Sequence, residues 1–146
     1  MLRGKAFKLG DSISTDHIVP GRLAYLRSNL PELAKHVLED ADPTFATRIK
    51  AGDFIVAGKN FGLASSREHA PLVIKMAGVS ATLAKSVARI FFRNAINLGL
   101  PVLLCDTDKI NDGDKLEVDL TAGTIQDKTN GNKLPFSRTP EVMLNI

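Results

Sequence analysis

The sequence is poor in the residues that staple, stack or coordinate. Its 146 residues include one cysteine, no tryptophan, one tyrosine and three histidines. A single cysteine, Cys105, excludes a disulfide framework and suits a reducing compartment. It also cannot supply the several thiolates of an iron–sulfur site. His17, His36 and His69 show no zinc-ligand spacing. Any metal chemistry the protein takes part in is therefore expected to use a metal held by another chain. No apolar run approaches the ~18–20 residues of a membrane span. The opening MLRGKAFKLGD lacks the apolar segment of a secretory signal, so a cytosolic location is expected. The net charge is +3, from 19 Lys+Arg against 16 Asp+Glu. So small and scattered an excess slightly favours anionic small molecules. It is not a nucleic-acid footprint, and there are few aromatics on which bases would stack. What is present is an ordinary globular composition, 44% hydrophobic and 24% charged. That predicts one domain over residues 1–146, large enough to bury its own core.

Along the chain there is no internal repeat, low-complexity stretch or linker. Residues Arg3 to Leu9 read as a first strand, ending at Gly10-Asp11. Ser12 to Asn29 reads as a long irregular loop with a Pro20-Gly21 turn, and loops this long inside a compact domain are usually functional. Pro31 suits the first turn of a helix with Leu33, Val37 and Leu38 on its apolar face. Phe45 and Ile49 suggest a second short helix. Asp53 to Ala57 is a short buried strand, Leu72 to Met76 a helix stopped by Gly78, and Ser80 to Ala84 the next strand. Ser86 is positioned to cap a helix that buries Val87, Ile90, Phe91 and Ala95 and ends at Gly99. Pro101 to Cys105 is a further apolar strand. From Asp53 to Cys105 the order is βαβαβ, which predicts a parallel sheet. Lys115 to Leu120 then alternates, Thr121 to Thr124 can turn, and Asn130-Gly131 signals a hairpin, so a β-meander is expected at the C-terminal end.

Three segments carry candidate chemistry. In Gly58 to His69, GKNFGLASSREH, a strand runs through two glycines into a helix. Proline is best tolerated in a first helical turn, so Pro71 places the helix start near Glu68 to Ala70. Ser65, Ser66 and Arg67 then fall at the helix N-terminus, where free N–H groups attract a carboxylate or phosphate. A capped helix with a surface arginine is the alternative. No Gly-Lys-Ser/Thr follows, so this is not a P-loop. The second segment, DSISTDHIVPG from Asp11, offers Thr15, Asp16 and His17, or only a polar turn. The third is Tyr25-Leu26-Arg27-Ser28, in which Arg27 can pair with a carboxylate or be merely solvated. His36 reads as a surface residue near Glu39, and Cys105 as buried and inert.

GKNFGLASSREHA resembles the signature of the aconitase superfamily's swivel domain, usually Gly-x-Asn-x-Gly-x-Gly-Ser-Ser-Arg-Glu. Ala64 stands where that pattern has its third glycine. STDHI is similar to the domain's earlier Thr-Asp-x-Ile segment. AKSVARIFFRNAINLGLP is similar to the Lys-Ser-(Phe/Tyr)-Ala-Arg-Ile-Phe-x-Arg-Asn-x-x-Asn-x-Gly stretch that follows. The three come in order and cover about the first three-quarters of the chain. A free-standing swivel domain of this size resembles the small subunits of 3-isopropylmalate dehydratase and of homoaconitase. The fold this resemblance implies is α/β: a three-layer β/β/α swivelling domain with a βαβαβ core and a C-terminal β-meander.

The activity it implies is that of a two-chain hydro-lyase. It isomerises a 2-hydroxy di- or tricarboxylic acid by dehydration and rehydration, with this chain active only beside a large subunit. The cofactor implied is a 4Fe–4S cluster in that large subunit, its open iron acting as Lewis acid, with none bound by this chain. By motif position Ser65 matches the catalytic base, Asp16 an active-site aspartate, and Arg67 the substrate-carboxylate binder, with Ser66 in the same cradle. In the family the Gly21–Leu30 loop reads the variable tail of the substrate. Leu23, Ala24, Tyr25 and Leu26 suit an isopropyl group, whereas Arg27 suits a further carboxylate, as Tyr-Leu-Arg-Thr does in homoaconitase-like members. Isopropylmalate is placed first and homoaconitate second. A reading of another class is a non-catalytic anion-binding regulatory protein on the same fold.

Overall fold

The computed structural model describes residues 2–19, 29–38, 44–62 and 69–137. Strand β1 (Leu2–Lys8) leads to helices α1 (Thr15–Ile18), α2 (Leu30–Ala34) and α3 (Phe45–Arg48). Strands β2 (Phe54–Val56), β3 (Ala81–Ala84) and β4 (Val102–Leu104) alternate with α4 (His69–Met76) and α5 (Arg89–Asn97). A 3-10 turn at Thr107–Lys109 precedes β5 (Lys115–Asp119), β6 (Thr124–Asp127) and β7 (Lys133–Pro135). The seven strands form one sheet in the order β4-β3-β2-β1-β5-β6-β7. β1 to β4 are mutually parallel, and β5 to β7 join antiparallel beside β1.

Strand alternation explains why this sheet makes three layers. On one face Phe7, Ile55, Ala84 and Val102 pack against residues of the helical elements, such as Leu33, Phe45, Val73, Ile74 and Phe91. On the other, Ala6, Phe54, Val56, Leu83 and Leu103 pack against Leu116, Val118, Ile125 and Leu134 of the meander. The sheet curls until Ser137 exchanges two backbone hydrogen bonds with Leu104, 2.7 and 2.9 Å, at its far edge. Two such bonds contribute about 1 kcal/mol each. Burying a Val, Leu or Ile side chain contributes roughly 1.5–3 kcal/mol. The four meander side chains, all buried, therefore dominate the curling, and the bridge fixes its register. This is the expected β/β/α arrangement with its parallel core and meander.

Three details depart from the expectation. The loop predicted from Ser12 to Asn29 contains α1, closed locally by His17 N–H and Ile18 N–H donating to Ser14 C=O at 3.0 and 3.2 Å. Ser86 does not cap α5, whose N-cap position is Ala88 with no side-chain bond. Its Oγ instead accepts from Asn60 N–H at 2.9 Å. Because α5 begins at Arg89, its buried face is Phe91, Phe92 and Ala95. Val87 lies before the helix, and Ile90, one position to the side of that face, is 50% exposed. Among the described residues no helix is long and apolar enough to cross a membrane.

Candidate functional site

In parallel α/β sheets the usual place for a ligand is the crevice outside the carboxyl ends of the strands. Here the chain leaving β2 becomes the centre of a three-segment cluster at those ends. On one side it is zipped to the chain leaving β1. Leu9 N–H donates to Val56 C=O (2.7 Å), Ser12 N–H to Lys59 C=O (2.7 Å), and Gly62 N–H to Ile13 C=O (2.7 Å). On the other side it is zipped to the chain leaving β3. Lys85 N–H donates to Gly58 C=O (3.0 Å), Phe61 N–H to Ser86 C=O (3.1 Å), and Ala88 N–H to Phe61 C=O (2.9 Å). Residues 58–62 of the first resemblance segment are therefore joined directly to residues 85–88 of the third, and to residues 9–13, which lead straight into the second, STDHI.

Side chains brace the same place. The Asp11 carboxylate accepts from Lys59 N–H at 2.8 Å. A Cβ at Gly58 would run into that carboxylate. Asn60 takes a left-handed φ of 60°, a conformation asparagine tolerates better than most residues, and the Ser86 hydroxyl holds its N–H. Phe61 is fully buried, edge-on to Phe91 with ring centroids 5.2 Å apart. Gly62 has φ +78°, and an added Cβ there would sit 2.5 Å from Phe91 Cγ. Lys85 Nζ donates to the Asp108 carboxylate in an exposed pair. That bond holds the Lys85 ammonium above its ordinary range and the Asp108 carboxyl below the usual carboxylate range. It ties the 3-10 turn to the end of β3.

The cluster fixes how the chain enters and leaves the Ser-Ser-Arg segment. It enters at Gly62, hydrogen-bonded to Ile13, and returns as α4 at His69, with Pro71 in the first turn as expected. α1, which bears Asp16, packs against α4. Leu38 N–H donates to Ile18 C=O at 3.0 Å and ties the turn after α2 to α1. Of the predicted site residues, Asp16 is therefore placed on α1 beside α4, whereas Ser65, Ser66, Arg67 and Arg27 lie outside the described residues, as do Ala64 and the segment from Leu23 to Leu26. His17 turns inward on its own loop, its Nδ1 accepting from Ser14 N–H at 2.9 Å. His36 lies 3.9 Å from Glu32, one turn before it on the chain. The bracing roles of Asp11, Asn60 and Ser86 are not expected from sequence, where Ser86 reads as a helix cap. The available signal for Ser86 was its place in the third resemblance segment.

This chain's own donor set does not fit an iron–sulfur cluster. Its single cysteine directly follows β4, and burial, with a smaller push from the Asp106 charge, raises the Cys105 thiol to about 12. Metal ligation and alkylation both need the thiolate. Iodoacetamide at pH 8 is therefore expected to label folded Cys105 at least ~100-fold more slowly than the urea-unfolded chain. Equal rates, read by mass spectrometry, would contradict the burial argument.

The chain is similar to known proteins along most of its length. The family model for the aconitase C-terminal domain matches residues 28–106. The chain is 65% identical to 3-isopropylmalate dehydratase small subunit 2 of Archaeoglobus fulgidus, over 98% of this chain and 87% of that protein. It is 59% identical to 3-isopropylmalate dehydratase small subunit 1 of Thermotoga maritima, over 100% of this chain and 89% of that protein. Among solved structures it superposes on 3-isopropylmalate dehydratase (leuD) of Methanocaldococcus jannaschii with a TM-score of 0.90 and 43% identity. That match covers 99% of this chain and 86% of the other.

Proposed function

Because the chain belongs to the aconitase C-terminal domain family and, within it, to the small subunits of 3-isopropylmalate dehydratase, we propose that it works as one half of a heteromeric hydro-lyase of leucine biosynthesis. A large subunit supplies the other half and holds the 4Fe–4S cluster, which this chain's residues do not suit. The carrying observation is that residues 58–62 are hydrogen-bonded to residues 85–88 on one side and, on the other, to residues 9–13, which lead directly into STDHI, whose helix α1 packs on α4; this supports a single site at the carboxyl ends of β1 to β3.

The roles of this chain's residues follow from their chemistry. Ser65 takes the proton from the substrate carbon as the hydroxyl leaves, and returns it during rehydration. A serine oxygen acts as base only where its anion is stabilised, and helix N–H groups with the Arg67 guanidinium supply that. Arg67 holds a substrate carboxylate in its planar fork, with Ser66 beside it. Asp16 takes part at the same site from α1.

Arg27 favours a second reading, homoaconitase, in which it holds a tail carboxylate. The test is kcat/KM for isopropylmalate and for homoaconitate, in the complex with the large subunit, before and after Arg27→Val. If Arg27 reads a carboxylate, homoaconitate turnover falls by roughly 1.5–3 kcal/mol of transition-state binding while isopropylmalate turnover holds or rises. An equal loss on both substrates would assign Arg27 to the shared head or to the loop itself.

A further inference from the structure

A second feature lies on the helical-side face of β1 and β5, toward the strand ends opposite Asn60 and Ser86. It is a groove of about 760 Å3, within the size range of small-ligand sites. Arg3, Lys5, Arg48, Lys50 and Lys115 line it, and Phe7 lies beneath the Arg48 guanidinium, which stands 5.1 Å from the ring centroid.

Of the three carboxylates in the groove, Glu117 is ion-paired, while Asp53 and Asp112 are held by backbone N–H groups and keep their charge. Glu117 takes Arg3 at 2.8 Å and Lys128 at 3.1 Å. The two oxygens of Asp53 accept from the backbone N–H groups of Lys5 (2.9 Å) and Lys50 (3.0 Å). Asp112 accepts from Lys8 N–H at 2.8 Å. Among the described residues this leaves the ammonium groups of Lys5, Lys50 and Lys115 without an ion pair.

Strand register makes the arrangement costly. Lys5 stands directly opposite Lys115 on the neighbouring antiparallel strand. Like charges in that position repel and destabilise the pair, whereas the adjacent Arg3↔Glu117 position is matched by charge. Asp53 meanwhile fixes the backbone on which Lys5 and Lys50 are carried. A concave face whose six cationic side chains outnumber its three carboxylates, with two of its lysines in forced opposition and three of them in no ion pair, is complementary to a small ligand with several negative charges.

We propose that this groove is a binding site for a multivalent small anion of the polycarboxylate or phosphate class. It is separate from the site at residues 58–62, and Lys5, Lys50 and Lys115 provide the neutralising charge.

The experiment uses the full chain, with citrate and pyrophosphate as the two probes, at an ionic strength held constant with chloride. Either probe is expected to bind saturably by calorimetry and to raise the melting temperature, as a ligand of the native state must. The stronger probe identifies the class. Lys5→Glu should weaken binding at least about tenfold, as loss of a charged contact does, and should also raise the anion-free melting temperature by pairing with Lys115. Lys115→Gln tests the same point without adding a charge. Arg67→Ala, which alters only the other site, should leave binding unchanged. The proposal is overturned if neither probe binds more tightly than chloride. It also falls if Lys5→Glu and Lys115→Gln bind as the unaltered chain does, or if Arg67→Ala abolishes the binding.

Discussion

Replacing Ser65 by alanine should lower kcat of the reconstituted two-subunit enzyme by ~10²–10⁴-fold, the range a positioned general base supplies. The two chains should still associate, because the change removes one oxygen and leaves the cluster of segments at residues 58–62 untouched. KM should change little, since Arg67 and Ser66, the proposed holders of the substrate's carboxylate, are left in place. Arg67→Lys should show the complementary pattern, mainly a raised KM, because an ammonium lacks the planar fork. Steady-state rates on purified complexes separate the two. A Ser65→Ala complex with near-normal kcat would remove Ser65 from the role of base and turn attention to Ser66.

The second large effect is structural and arises at the entrance to the same segment. Gly62→Ala meets two penalties. A side chain in the left-handed region at φ +78° costs about 1–2 kcal/mol. The new Cβ, 2.5 Å from Phe91 Cγ, forces the buried Phe61–Phe91 pair apart, and overpacking costs about 1–3 kcal/mol more. For a chain of this length the sum lowers the melting temperature by on the order of 10 °C. Gly131→Ala is the control. Its φ is +83° but nothing lies within 4 Å of the added carbon, so it bears only the first penalty. Calorimetric scans of the two variants check the packing argument, and equal losses would refute it.

Local order was legible because it is written in short periods. The alternation of Lys115 to Leu120, the apolar DFIVA run and the Asn130-Gly131 turn each specify an element from its own residues. Pro71 placed the start of α4 because one proline constrains a first turn. Two kinds of fact were not legible. Non-local pairing, such as β1 lying between β2 and β5 or Ser137 closing onto Leu104, depends on contacts far apart in sequence that no period records. Side-chain allegiance was the other. Ser86 before a helical pattern reads as a cap, yet its hydroxyl faces Asn60 across the cluster, a choice made by tertiary packing. As for the site, local pattern left Ser65 and Arg67 balanced between an anion cradle and a capped helix. The resemblance assigned their roles, and the structure adds that the three resembling segments are neighbours in space.

On the proposed function, this chain completes a site it cannot form alone. The most direct measurement is a titration of the chain into a fixed amount of cluster-loaded large subunit, followed by the rate of 3-isopropylmalate dehydration. Activity should be absent with either chain alone, including this chain after anaerobic incubation with iron and sulfide. It should rise with added chain and saturate once the large subunit is fully paired. Turnover by the isolated chain, or by the large subunit at a rate that added chain does not change, would show that the two chains do not share a site.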